Sequence, residues 1–261
     1  MPFPITTARR NRGQLLGLRW AARGHIGERD RQCDAWSVQG NPATGRTAFA
    51  VADGIGSHLG SWQAARWAAD QGAHAALTLD PKSAVLAARA HRRHYDTRRH
   101  PDRHRAGWRP DPDYLDDNTL TLAVVDPRSP HVRCAWVGDS RIYWIDADDR
   151  VHLATRDHTW GQELRDAGKP EYQAREWDNM LTHTAAEGDV GTVTLDAALV
   201  RTLVLCSDGV GKQLTREDWV HNAKLPEGPA RDAESLVGTA LDNAQTGGYP
   251  SDNATVLVAY L

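Results

Sequence analysis

The stretch Thr47-Ala48-Phe49-Ala50-Val51-Ala52-Asp53-Gly54-Ile55-Gly56 is an apolar run cut off by an acid and two glycines. It reads as a strand over Thr47 to Ala52 whose terminal carboxylate projects where the chain turns, and Gly54 leaves the backbone free to approach a ligand with its carbonyl beside Asp53. The same design returns in Leu203-Val204-Leu205-Cys206-Ser207-Asp208-Gly209 and in Val137-Gly138-Asp139-Ser140-Arg141. Asp252, in Ser251-Asp252-Asn253-Ala254-Thr255, precedes its strand instead, and Asp34 lies in Gln32-Cys33-Asp34-Ala35. One Asp-Gly pair is an ordinary turn. Repetition at strand boundaries is different: if a sheet gathers these ends, several carboxylates converge, and that is untenable unless cations neutralise them.

Outward from these motifs the chain alternates strand and helix signals. Further strands are expected at Leu16 to Ala22, Thr119 to Val125, Val132 to Val137, Ile142 to Ile145, Val190 to Leu195 and Ala254 to Tyr260. Leu203 to Cys206 and Val256 to Val258 are apolar on both faces, so each should be covered on either side. Trp62, Ala65, Ala69, Ala73 and Ala76 recur at helical spacing within Leu59 to Leu79, and a second helix starts near Pro81. Thr215 opens a short capped helix, and Pro229 to Asn243 forms a longer one closed by Gly247-Gly248.

With 261 residues and 40% hydrophobic composition the chain can bury a substantial core, and no linker interrupts it. It contains no apolar run near the roughly 20 residues of a membrane span and no secretion signal, so a cytoplasmic protein without a membrane partner is expected. Three cysteines without paired spacing point to reduced thiols, with Cys134 and Cys206 in the core. A net charge of -3 argues against a nucleic-acid partner. The basic stretch from Arg89 to Arg109 reads as a solvated helix end running into a loop, or as an attractor for a cognate kinase or another acidic partner.

Arg29 with Gln32-Cys33-Asp34, Val51-Ala52-Asp53-Gly54-Ile55-Gly56-Ser57-His58, Val137-Gly138-Asp139-Ser140-Arg141, Thr155-Arg156-Asp157-His158, Leu205-Cys206-Ser207-Asp208-Gly209 and Ser251-Asp252-Asn253-Ala254-Thr255 follow one another in a fixed order. This set resembles the metal-dependent serine/threonine protein phosphatases of type 2C, the PPM family. The resemblance implies an α+β fold, a four-layer α/β/β/α sandwich of two antiparallel sheets flanked by helix pairs. It implies one domain over 1–261, here with a basic insertion over 91–117 and a flap-like segment over 166–189. By the same resemblance Asp53 bridges two Mn2+ or Mg2+ ions, Gly54 lends its carbonyl to one, Asp208 and Asp252 serve the other, and Asp139 contributes to a weaker third. Arg29 would hold the substrate phosphate, a role suited to a guanidinium that grips two oxygens. His58 or a metal-bound water would protonate the leaving alkoxide. The implied activity is hydrolysis of phosphoserine and phosphothreonine in proteins by a water activated between the ions.

The chain also departs from that family's pattern. Cys33 stands where the family usually has a metal-holding Glu, and a neutral thiol is a poor ligand for hard cations. Asp34 compensates, or Cys33 is a thiolate open to oxidative control. Asp116-Asp117-Asn118-Thr119 replaces a glycine before paired threonines, and Lys169 to Gly188 has few regular-structure signals, as expected of a mobile lid. The alternative function is a catalytically weak or silent binding module of the same fold. A metal-dependent nuclease would use the same acids, but net charge counts against it. A monomer acting on phosphorylated proteins is the expectation.

Overall fold

The computed structural model describes residues 8–57, 59–99, 117–223, 228–248 and 250–261. It opens with a hairpin, β1 (Ala8–Leu15) and β2 (Leu18–His25), turned by Leu16 and Gly17 at φ 52° and 91°. Two successive positive φ values match the right-handed twist of paired strands. The sequence reading expected one strand over Leu16 to Ala22. The polar β1 escapes such a reading because it lies at a sheet edge, where little apolar surface is needed. Then follow β3 (Ala35–Gly40), β4 (Thr47–Ala52), α1 (Leu59–Ala75), α2 (Pro81–Arg99), β5 (Leu120–Val125), β6 (His131–Val137), β7 (Arg141–Ile145) and β8 (Val151–Leu153). Short helices α3 (Trp160–Asp166) and α4 (Glu171–Arg175) lead to β9 (Gly191–Asp196) and β10 (Thr202–Cys206). The chain finishes with α5 (Asp208–Gly211), α6 (Arg216–Ala223), α7 (Pro229–Gly247) and β11 (Ala254–Tyr260).

The strands form two antiparallel sheets, one ordered β1-β2-β11-β10-β7-β8 and the other β3-β4-β5-β6-β9. Strand alternation explains the layering. On β4, Ala48, Ala50 and Ala52 pack with Ala65, Ala69 and Ala73 of α1, while Phe49 and Val51 face the other sheet. The alanine-lined α1 face lets that helix lie close to its sheet. On β10, Leu203 and Leu205 join Phe49 and Leu257 between the sheets, and Val204 turns outward to Leu236 and Val237 of α7. Each fully buried Phe or Leu here stabilises by about 1.5–3 kcal/mol. The result is the expected four-layer sandwich: α1 and α2, two sheets, then α6 and α7.

Local signals close the elements. Thr215 Oγ1 accepts from the Asp218 amide at 3.2 Å while Asp218 Oδ2 accepts from the Thr215 amide at 2.9 Å, a reciprocal cap for α6. Gly248, at φ 70°, ends α7. Among the described residues no helix is long and apolar enough to cross a membrane. The three cysteines are free and buried.

Candidate active site

The adjoining ends of both sheets carry the acids. Asp53 follows β4 and is pinned by Thr119: its amide donates to Thr119 Oγ1 at 3.1 Å, and its carbonyl accepts from the Thr119 amide at 2.8 Å. Asp208 is the first residue of α5, one residue beyond the end of β10, and Asp252 lies in the turn into β11. Asp34 precedes β3 and is fully buried, with Ser207 Oγ donating to its Oδ2 at 2.8 Å. Asp139 follows β6 and is buried. The structure therefore brings together Asp34, Asp53, Asp139, Asp208 and Asp252. Gly54 proves necessary for a reason the sequence did not suggest: a Cβ there would stand 2.5 Å from the Ser61 carbonyl oxygen, so the lost side chain admits another backbone rather than a ligand.

Burial first, then the charges of Asp34, Asp208, Asp139 and Asp252, raise the pKa of Asp53 well above the usual carboxylate range. Burial likewise lifts Asp34 to about 7, against the hydrogen bonds it accepts. Among the described residues two basic groups answer these five acids. Arg29 Nη2 donates to Asp252 Oδ2 at 2.6 Å, and Lys212 Nζ bonds Asp139 Oδ2 and lies 3.2 Å from Asp208 Oδ2. Asp139 is still lifted to about 6, because burial and the charge of Asp208 outweigh the ammonium beside it.

Among the described residues no three His, Cys, Asp or Glu side chains form a ready cage for one ion. Arg29 and Lys212 hold oxygens of Asp252, Asp139 and Asp208. Two oxygens remain over: Asp34 Oδ1 and Asp208 Oδ1 are buried without a hydrogen-bond partner. Such orphans are costly unless something cationic meets them. With an all-oxygen donor set and surplus negative charge, the residues fit hard divalent cations.

The protein phosphatase 2C family model matches residues 22–231. The chain belongs to that family. No curated protein sequence gives a significant match. Solved structures do: the serine/threonine phosphatase Stp1 from Staphylococcus aureus superposes with a TM-score of 0.76 at 19% identity, covering 95% of this chain and 96% of that one. The catalytic domain of the serine/threonine protein phosphatase PstP in complex with 2 manganese ions gives 0.70 at 24%, covering 93% and 97%. The PPM Ser-Thr phosphatase MsPP from Mycobacterium smegmatis in complex with cacodylate gives 0.68 at 23%, covering 98% and 99%. The fold is thus that of bacterial type 2C phosphatases.

Several motif residues of this protein phosphatase 2C chain serve the frame. Arg141 grips both oxygens of Asp157 at 2.9 and 2.7 Å and donates to the Gly211 carbonyl at 2.7 Å, fixing α5 under Asp208. His158 stacks on Trp136, and its pKa falls to about 4, by burial and then by His183, so it stays neutral. His58 lies outside the described residues.

Cys33 is fully buried, and burial followed by the charge of Asp34 raises its pKa to about 11. Both causes oppose a thiolate at Cys33. The amide of Cys33 donates to Asn253 Oδ1 at 2.7 Å, so its place is set by the backbone.

The flap-like segment has more structure than the sequence promised. Arg165 forks across Glu171 and Asp178, and Gly161 is required because a Cβ there would collide with Asp178 Oδ1. Arg89, the first residue of the basic stretch, donates to the carbonyls of Thr184, Ala185 and Gly188 at 2.8–3.2 Å. Of the stretch 91–117 expected as a basic insertion, residues 91–99 continue α2 and residues 100–116 lie outside the described residues.

Sequence reasoning missed Lys212, Asn253 and Ser207. Asn253 donates to the Ile26 and Arg31 carbonyls at 2.8 and 3.0 Å, holding the loop that carries Arg29. For Lys212 a signal existed: it stands four residues after Asp208, one helical turn away.

Proposed function

We propose that this chain removes phosphate from phosphoserine and phosphothreonine side chains of proteins, using two divalent ions, Mn2+ or Mg2+. Asp53, the Gly54 carbonyl, Asp208 and Asp252 would hold them, with Asp34 supplying its unpaired oxygen. The observation that carries this reading is the pairing of surplus carboxylate charge around Asp53 with the orphaned Oδ1 atoms of Asp34 and Asp208. The manganese reported for PstP and the cacodylate reported for MsPP support it by kinship. When bound, such ions acidify a water and neutralise phosphoryl oxygens.

The chain's own residues do the rest. Thr119 and Ser207 fix Asp53 and Asp34. Arg29, with its side chain 46% exposed at the rim, would present its guanidinium to the phosphate. His58 remains the candidate donor to the departing alkoxide; neutral, buried His158 is not one. The same reading makes the chain a single-domain cytoplasmic monomer whose partners are phosphoproteins, with 91–117 left to engage a kinase or another acidic surface.

One observation favours the alternative of a weak or silent binding module: Lys212 and Arg29 already hold oxygens of Asp139, Asp208 and Asp252. Hydrolysis of an aryl phosphate with Mn2+ or Mg2+, repeated after chelation, separates the two. Metal-dependent turnover supports the phosphatase. A folded protein inert across a wide metal range establishes the module.

A further inference from the structure

Lys212 is surrounded as an ion would be. Its ammonium bonds Asp139 Oδ2 and lies 3.2 Å from Asp208 Oδ2, 2.9 Å from the Asp178 carbonyl oxygen and 3.3 Å from Asn179 Oδ1. Two carboxylates, a main-chain carbonyl and a side-chain amide make an all-oxygen shell, and the side chain is only 16% exposed. Burial alone would discourage the charge, and the two carboxylates more than offset it. Lysine is a compact point charge on a four-carbon stem, which lets it reach such a centre from one helical turn beyond Asp208. Two of the four oxygens belong to the flap-like segment, at and just after the Asp178 whose carboxylate Arg165 grips. Lys212 therefore joins two parts of the molecule that share no strand pairing: the acids at the sheet ends and the segment over 178–179.

The geometry points to Lys212 as a built-in cation that occupies the space beside Asp139, the residue to which the family resemblance gives a weaker third ion, and that tethers the flap to the acidic cluster. The chain accordingly takes two ions, not three, and its flap is held down without metal. The ion count rests on the metal reading above; the tether rests only on the Lys212 contacts to the Asp178 carbonyl and Asn179 Oδ1.

Two measurements test it. Manganese bound at saturation is counted by equilibrium dialysis, and amide hydrogen exchange over 177–181 is followed in the metal-free protein, for wild type and Lys212→Met. Wild type should bind two ions. The variant should bind a third, at least about tenfold more weakly, and exchange at 177–181 should rise at least about tenfold. A wild type that takes three ions, or a variant that still takes two, overturns the substitution for an ion. Unchanged exchange overturns the tether. A wild type that binds no manganese refutes the metal reading, yet leaves the exchange result to decide the tether. If Lys212→Met does not fold, Asp139→Asn decides instead: the count should stay at two, and loss of one ion would mean that Asp139 holds metal, which overturns the proposal.

Discussion

Two carboxylate-bearing regions, the Arg141–Asp157 pair and the cluster around Asp53, adjoin one another and are built on opposite terms. In the pair both carboxylate oxygens are matched by guanidinium donors, and Arg141 gives a third hydrogen bond to Gly211. Among the described residues around Asp53, five acids face two bases, and Asp34 Oδ1 and Asp208 Oδ1 are buried without a hydrogen-bond partner. A frame satisfies its polar groups, because buried ones left unpaired cost stability. A site keeps them open for something that arrives later. Completeness of pairing, rather than the mere presence of buried charge, distinguishes the two here.

The largest effect should come from breaking the closed region. Arg141→Met strands Asp157 in a buried setting and should lower stability by about 3–5 kcal/mol, the usual cost of an uncompensated buried charge. Denaturant unfolding checks this, and a loss below about 1 kcal/mol would show that the pair is ornamental. Next is the open region. Asp53→Asn should cut metal-dependent aryl phosphate turnover at least about a hundredfold, equivalent to about 2.7 kcal/mol of barrier. The same change should leave the metal-free protein as stable or more so, since a crowded like charge is removed. Near-normal turnover would detach Asp53 from the chemistry.

Much of this contrast is legible in the chain itself. The apolar runs bounded by Asp53, Asp208 and Asp252 declare strands covered on both faces, because continuous burial leaves a plain trace, and their shared boundary acids point to convergence. The strands β3 and β8 do not declare themselves. The first mixes Ser37, Gln39 and Gly40 with only Trp36 and Val38 turned to the inter-sheet core, and the second is three residues long. Polar pairing is the least readable part. The i,i+4 spacing of Lys212 from Asp208 hints at their pairing, but nothing in the chain says that Lys212 also reaches Asp178 or that Arg89 caps flap carbonyls; those outcomes depend on contacts between segments distant in sequence. For Cys33 the neighbouring Asp34 is visible in the chain, but the burial that weighs more on the thiol is not.

A pH series sharpens the comparison further. Asp34 and Asp139, lifted to about 7 and about 6, and Asp53, also raised, bind protons in the folded metal-free protein at pH values where the unfolded chain has released them. Folding is then favoured most below the ordinary carboxylate range, and that contribution is lost as pH climbs from about 4 through about 7. The melting temperature in chelator should fall over this window, and Mn2+ should restore it. A flat profile would mean that the acids are relieved by some other route.

The smallest effect is expected at the flap. Arg165 contacts Glu171 and Asp178 with donor distances of 2.5–2.8 Å, as short as those of Arg141, yet Glu171 is 58% exposed. Water can therefore replace what Arg165→Met removes, and surface pairs of this kind contribute about 1 kcal/mol or less. Global stability should barely change, while hydrogen exchange over 171–178 should increase. If Arg165→Met proved as costly as Arg141→Met, short contacts alone would set the energy of a pair in this fold, and burial would lose the deciding role it has in separating the frame from the site.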